Sequence, residues 1–335
     1  MFDSTRPPEF ADVEAAAARI APYAIETPLL ESPALNARLG GRVFLKPESL
    51  QRTGSFKFRG AYNRIGLIAE DQRAGGVVAF SSGNHAQGVA AAAVLYGMRA
   101  VIVMPKDAPR AKIEGTKALG AEVVYYDRVT DDREAIATKI MRERGATLVR
   151  PFDDAGIVAG QGTIGLEIAR QAQARGVKLD AVLVPCSGGG IVSGIALALS
   201  GVSPGTRTLS VEPENFDGMR LSLAAGKRVS APGGALSMAD ALMAPIPGVV
   251  PFALAQHLME PGLVVADDAL AVAVAYAAAR LKLIIEPGGS AGLAALLAGR
   301  YDVHGKTVAV VLTGGNCDFE TVTACLARAA QLKVL

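Results

Sequence analysis

The sequence predicts an α/β architecture built on open parallel sheets, and three observations carry that prediction. Short runs rich in valine, isoleucine and leucine alternate with alanine-rich helical stretches along the chain, the pattern of repeated strand–helix units. Most of those runs are continuously apolar rather than alternating, as parallel strands covered on both faces must be. Four glycine- or serine-rich stretches stand where strands hand over to helices, and ligands of open α/β sheets bind beyond the carboxyl ends of the strands.

In chain order, the predicted strands are Arg42–Leu45, Val77–Phe80, Ala100–Met104, Glu122–Tyr126, Ala181–Val184, Leu209–Val211, Leu263–Val265 and Thr307–Leu312. The predicted helices between them include Asn84–Leu95, Arg110–Leu119, Asp131–Arg144, Thr163–Gln173, Ile191–Leu199, Asp267–Leu281 and Phe319–Ala330. A further helix is expected to start near Gly60.

Composition narrows the function. The 335 residues carry a net charge of +2, half are hydrophobic and a fifth are charged, which excludes disorder and gives no basic nucleic-acid surface. Three cysteines and three histidines make neither a disulfide framework nor a Cys-rich or His-rich metal site. No apolar leader opens the chain, so the expected compartment is cytoplasmic. The run from Ala181 to Thr206 is free of charge, but Pro185, Gly188-Gly189-Gly190, Gly194 and Pro204 interrupt it; a buried strand, turn and helix fit it better than a membrane span.

The stretch Ser187-Gly188-Gly189-Gly190-Ile191 follows an apolar run and opens an apolar helix. Successive backbone N–H groups can turn toward one anion there, and the helix N-terminus adds positive potential, so a phosphate is the natural guest. A dinucleotide-binding unit is the rival reading, with Glu212 on a ribose; Ser193 stands where its third glycine would be. Upstream, Lys57 lies between Phe56 and Phe58. A lysine in apolar surroundings can be neutral near pH 7 and can form a Schiff base.

The segment Ser55-Phe56-Lys57-Phe58-Arg59-Gly60-Ala61 resembles the lysine motif of the fold-type II pyridoxal-phosphate enzymes, the tryptophan synthase β-like group, and more closely that of threonine dehydratases and serine racemases. Ser81-Ser82-Gly83-Asn84-His85 is similar to that family's substrate-carboxylate loop, the triglycine stretch to its phosphate cup and Thr313-Gly314-Gly315-Asn316 to its pyridine-nitrogen loop. The resemblance runs in the family's order over essentially the whole chain.

It implies two open parallel-sheet α/β domains. Residues 1–53 plus 150–335, with the Lys57 segment, would form the large cofactor domain, and residues 60–149 the small substrate domain. It implies pyridoxal 5′-phosphate bound by Phe56, Lys57, Asn84, Ser187, Gly188, Gly189, Gly190, Ile191, Glu286 and Thr313. Lys57 would hold the cofactor covalently and serve as the base. Ser81, Ser82, Asn84 and His85 would bind the substrate carboxylate, with Ser82 also matching the second acid/base of a racemase.

The implied activity is β-elimination of water from threonine or serine to give a 2-oxo acid and ammonia. Racemisation of serine and dehydration of another β-hydroxy amino acid, such as 3-hydroxyaspartate, are the alternatives; a nucleotide-binding oxidoreductase is the distant one. Thr313, a neutral hydroxyl at the ring nitrogen, would leave the carbanion less delocalised and favour prompt loss of a β leaving group. Glu212, with the Phe216 carbonyl, matches part of a divalent-cation site; Gly218 stands where a second carboxylate belongs, so a weak or altered magnesium or calcium site is expected. A small amino-acid substrate and a homodimer are the implied partners. After Asn316 only one helix is predicted, which leaves no room for a regulatory module and predicts no isoleucine feedback.

Overall fold

The computed structural model describes residues 2–81, 83–108 and 110–334. The chain opens with helix α1 (Phe10–Ile20), strand β1 (Leu30–Glu31), α2 (Pro33–Leu39) and β2 (Arg42–Pro47). Two 3₁₀ turns lead to α3 (Lys57–Gly66). Next come β3 (Val77–Phe80), α4 (Asn84–Leu95), β4 (Ala100–Pro105), α5 (Arg110–Ala118), β5 (Glu122–Tyr126), α6 (Arg133–Arg144) and β6 (Thr147–Leu148). Helix α7 (Ala155–Gln173) precedes β7 (Ala181–Pro185), α8 (Gly190–Val202), β8 (Arg207–Pro213) and α9 (Gly218–Ala225). The remainder holds α10 (Val249–Leu258), β9 (Leu263–Val265), α11 (Asp267–Tyr276), α12 (Ala291–Leu297), β10 (Thr307–Leu312) and α13 (Phe319–Gln331).

The strands make two open sheets. One runs β5-β4-β3-β6, parallel throughout. The other runs β1-β2-β10-β7-β8-β9, parallel except for the antiparallel edge pair β1–β2. Both sheets are covered on both faces, which explains the continuous apolar runs. In the larger sheet Leu183, Val310 and Leu312 point into one cluster, while Val182, Val184 and Val311 point into another. In the smaller, Val77, Ala79, Ile102 and Met104 face one side and Val78, Phe80, Val101 and Val103 the other. Successive strand residues alternate sides, so a strand with apolar cover on both faces reads as unbroken hydrophobicity.

Three of the differences from the expected boundaries have a clear local cause. The helix expected to start near Gly60 starts three residues earlier, at Lys57. Ser55 makes a single antiparallel bridge to Gly314, Phe56 donates its N–H to the Thr313 carbonyl at 3.1 Å, and α3 then starts at Lys57. The helix predicted from Thr163 starts at Ala155, because Asp154 caps it by accepting from the N–H groups of Gly156 and Ile157. The helix predicted over Asp267–Leu281 is α-helical only to Tyr276; a π turn over Ala277–Leu281 follows, closed by Lys282 at φ 60°. Helix α3 packs on α4 of the smaller layer and on α7 of the larger, so it lies where the two layers meet. No helix among the described residues is long and apolar enough to cross a membrane.

Candidate active site

The carboxyl ends of β3, β7 and β10 converge on one cavity of about 330 Å³, within the usual range for small-ligand sites. Its lining includes Phe56, Lys57, Ser81, Gly83, Asn84, His85, Ser187, Gly188, Gly189, Gly190, Ile191, Glu286 and Thr313. Residues scattered over the sequence therefore share one space. Ser82, expected beside them, lies outside the described residues.

Lys57 opens α3, and its position is set from the larger sheet. The Ser55–Gly314 bridge is joined by a bond from the Gly315 N–H to the Gly54 carbonyl at 2.9 Å. The Lys57 amine donates to the Pro151 carbonyl at 2.8 Å and lies 5.0 Å from the centre of the Phe56 ring. No carboxylate among the described residues forms an ion pair with it. Burial pushes its pKa down to about 8, against a weaker opposing pull from Glu286, so a useful fraction is neutral near physiological pH.

The glycine stretch forms a cradle ahead of α8. A Cβ on Gly188 would lie 2.3 Å from the Phe152 ring, and one on Gly189, at φ 94°, would lie 2.4 Å from the Met219 methyl. Only glycine fits both positions, so the backbone amides stay uncovered at a helix N-terminus. Ser187 is fixed by accepting from the Ala244 N–H at 3.2 Å, and the Gly188 carbonyl accepts from Gly248 at 2.9 Å.

The third wall joins the two layers. Asn84, first residue of α4, donates to Glu286 at 2.5 Å, and Asn316 donates to the Asn84 side chain at 2.8 Å and to the Thr53 carbonyl at 2.7 Å. Burial pushes Glu286 up to about 7 despite the Asn84 bond. His85 is buried, and its Nε2 lies 2.9 Å from the Val149 carbonyl. A carbonyl only accepts, so Nε2 carries the proton and Nδ1 presents a lone pair, without a partner among the described residues. Burial and the nearby Lys57 hold this imidazole down to about 3. The His85 ring therefore presents an acceptor rather than a donor at Nδ1.

Sequence reasoning missed several cavity residues. Gln161 of α7 and Phe152 line the floor, and Lys112, Arg128, Arg133 and Asp240 line the mouth. The one signal available for Gln161 was a polar residue in the largely apolar first half of α7. Lys112, Arg128 and Arg133 lie in charged stretches that read as solvated surface, and Asp240 is a lone charge in a loop.

Glu212 is elsewhere. Its two carboxylate oxygens accept from the N–H groups of Met219 and Arg220, each at 2.8 Å, at the start of α9, and burial pushes it up to about 8. No group of three or more His, Cys, Asp or Glu side chains placed to hold a metal occurs among the described residues. Burial also raises Cys186, and raises Cys317 to about 11, so both thiols are protonated at neutral pH.

The donor set suits pyridoxal phosphate. A desolvated amine stands ready for an aldehyde, an uncovered amide cradle for a phosphate, and a helix N-terminus at Asn84 for a carboxylate. Comparison with known proteins agrees. The family model for pyridoxal-phosphate dependent enzymes matches residues 20–314. The L-threo-3-hydroxyaspartate ammonia-lyase of Saccharomyces cerevisiae is 38% identical over 315 residues, covering 93% of this chain and 94% of that enzyme. The L-threonine ammonia-lyase of Thermotoga maritima is 40% identical over 296 residues, covering 88% of this chain and 72% of that enzyme. The structure of maize serine racemase superposes with a TM-score of 0.89 at 34% identity, covering 98% of this chain and 99% of that one. With its motifs converging on one cavity and its likeness spanning nearly its whole length, the chain belongs to the pyridoxal-phosphate dependent enzyme family.

Proposed function

We propose that the protein is an ammonia-lyase that converts a β-hydroxy amino acid, threonine or serine, to a 2-oxo acid and ammonia. The observation that carries this reading is the unpaired, desolvated Lys57 amine in the same cavity as the glycine cradle and the α4 N-terminus. Bound pyridoxal phosphate supplies the electron sink that makes the substrate α-proton acidic. Lys57 would hold the cofactor covalently, and its amine, once freed, would take up that proton. The amides from Ser187 to Ile191 would bind the phosphate. Asn84, Phe56 and Glu286 would hold the ring, and the neutral Thr313 hydroxyl would donate to its nitrogen. Ser81, Ser82, Asn84 and the His85 N–H hold the substrate carboxylate, with Ser82 open to a racemising side reaction. Loss of water between Cα and Cβ leaves an enamine, which hydrolyses to the products. We assign residues 1–53 plus 150–335 to the cofactor domain and 60–149 to a substrate domain that closes over the site and excludes water. The working form is read as a cytoplasmic homodimer.

One observation favours a second substrate class. Lys112, Arg128 and Arg133 all line the cavity mouth. Lys112 pairs with Asp240 and Arg128 with Asp107, whereas Arg133 has no carboxylate partner among the described residues. An unpaired guanidinium suits the distal carboxylate of a β-hydroxy dicarboxylic acid, and a relative named for 3-hydroxyaspartate fits that chemistry. A panel of L-threonine, L-serine and L-threo-3-hydroxyaspartate, scored for 2-oxo acid, tests both readings. Arg133→Leu is expected to raise KM for 3-hydroxyaspartate about tenfold more than for threonine, the worth of one charge-assisted contact. Absence of 2-oxo acid from all three substrates would refute the lyase reading.

A further inference from the structure

Gln161 has no place in the account above, yet the fold makes unusual room for it. It is 1% exposed on α7, lines the cavity that holds Lys57, and its Oε1 has no hydrogen-bond partner among the described residues. Two glycines admit it. A Cβ on Gly160 would lie 2.7 Å from the Gly60 Cα, so α3 and α7 touch backbone to backbone; a Cβ on Gly60 would lie 2.5 Å from the Gln161 Nε2. Gly60 is one turn beyond Lys57 on α3. The Gln161 carboxamide therefore crosses the α3–α7 contact beneath the lysine-bearing turn.

A buried acceptor left unpaired is costly, and native folds keep one where a partner arrives during function. The cavity offers a donor that lacks acceptors. A lysine ammonium has three N–H groups, and the Pro151 carbonyl takes only one of those of Lys57. On the same lining stands a second unpartnered acceptor, His85 Nδ1. We infer that Gln161 is a positioning residue for Lys57: its carboxamide oxygen, with His85 Nδ1 and the Pro151 carbonyl, forms the acceptor shell for the ammonium created when the freed lysine takes up the substrate proton. Gln161 acts through Lys57 by stabilising the protonated amine at the moment it forms.

The charged groups around Lys57 fix the sign of the test. Glu286 faces it from the loop after α11 and favours the ammonium; His85 of α4 is neutral; Lys112 of α5, Arg128, Arg133 of α6 and Asp240 stand farther out on the lining. From α7 the cavity receives only the uncharged Gln161, because Glu167 is turned to Lys46 and Arg59. Cofactor attachment requires the neutral amine, so the rate at which pyridoxal phosphate joins the cofactor-free full chain rises with pH through the Lys57 pKa.

Stopped-flow absorbance over pH 6–10 measures that midpoint. Gln161→Met, apolar and of similar size, is expected to move it down by roughly one unit, since the ammonium loses an acceptor. Gln161→Glu is expected to move it up by about as much, since a carboxylate stabilises the ammonium. In the loaded enzyme Gln161→Met should lower kcat about tenfold with KM little changed. A purely structural role would move both variants the same way, and that result, or unmoved midpoints, would overturn the proposal; Gln161→Met decides it alone if the glutamate variant does not fold. The inference rests on Lys57 as the attachment site. Borohydride reduction followed by peptide mapping separates the two failures: label on another lysine refutes both readings, while label on Lys57 with unmoved midpoints refutes this one alone.

Discussion

Two clusters of buried charge sit on either side of α3, and they are built on opposite rules. On one side Arg59 donates to Glu48 at 2.8 Å through two nitrogens and to Glu167 at 2.6 and 2.9 Å. Lys46 bonds Glu167 at 2.6 Å and the Thr27 carbonyl at 2.6 Å, and Thr27 bonds Glu48 at 2.7 Å. Every buried charge there has a counter-charge. Burial alone would raise Glu48, but the Arg59 guanidinium, with Lys46 and Thr27, outweighs it and the carboxyl ends below its ordinary value. On the other side half-buried Lys57 and buried Glu286 stand without an ion pair, and desolvation wins: the amine falls to about 8 and the carboxyl rises to about 7. A single residue of chain, Phe58, separates Lys57 from Arg59. A paired charge is locked and holds the scaffold; an unpaired one stays near its titration point and can move a proton.

The largest expected effect breaks the reactive side. Lys57→Ala should abolish the borohydride-reducible cofactor linkage and lower kcat by roughly three orders of magnitude or more, while the urea midpoint of the cofactor-free chain changes little. Retention of the linkage would refute the assignment. Next, Arg59→Met strands Glu48 without its ion-pair partner and leaves Glu167 with Lys46 alone. A loss of about 3–5 kcal/mol in urea unfolding is expected, with partial rescue by Arg59→Lys.

The two clusters should also carry opposite pH signatures. The folded-state pKa of Glu48 is depressed, so its stabilisation is present above its ordinary value of 4.5 and is lost as pH falls below it. Glu286 is raised from 4.5 to about 7, so its protonated form stabilises the fold at low pH and that contribution is lost as pH rises between those values. In the cofactor-free chain Glu286→Gln should therefore flatten the decline in stability from pH 5 to 7, an effect of order 1–3 kcal/mol. Glu48→Gln should instead flatten the acid limb below pH 4.5. Identical pH–stability curves for the two variants would remove the contrast. The smallest effect calibrates it: Arg144 pairs with Glu122 through two bonds at 2.6 and 2.9 Å on an exposed surface, and Arg144→Ala should cost under about 1 kcal/mol, less still at high salt.

Sequence by itself determined much of this protein. Continuous apolar runs identified most strands of both sheets, though not the two-residue β1 and β6, because burial on two faces leaves few polar positions in them. The stretch Ser187–Ile191 was legible because backbone chemistry at an anion-binding turn restricts what can stand there, and Lys57 because of its apolar neighbours; Asn84, Glu286 and Thr313 were legible through the resemblance of their motifs to a known family. Other features depended on the fold alone. That β10, near the end of the chain, sits between β2 and β7 is a long-range pairing that no local pattern encodes. Arg59, Lys46 and Glu167 read as ordinary surface charges until α7 is laid beside α3, and His85 reads as a donor until the Val149 carbonyl claims its proton-bearing nitrogen. Gln161 reaches the cavity only because Gly60 and Gly160 let two helices touch. Local pattern reports the environment averaged over an element, whereas the protonation state of a side chain is set by the few atoms that tertiary packing brings within hydrogen-bond distance.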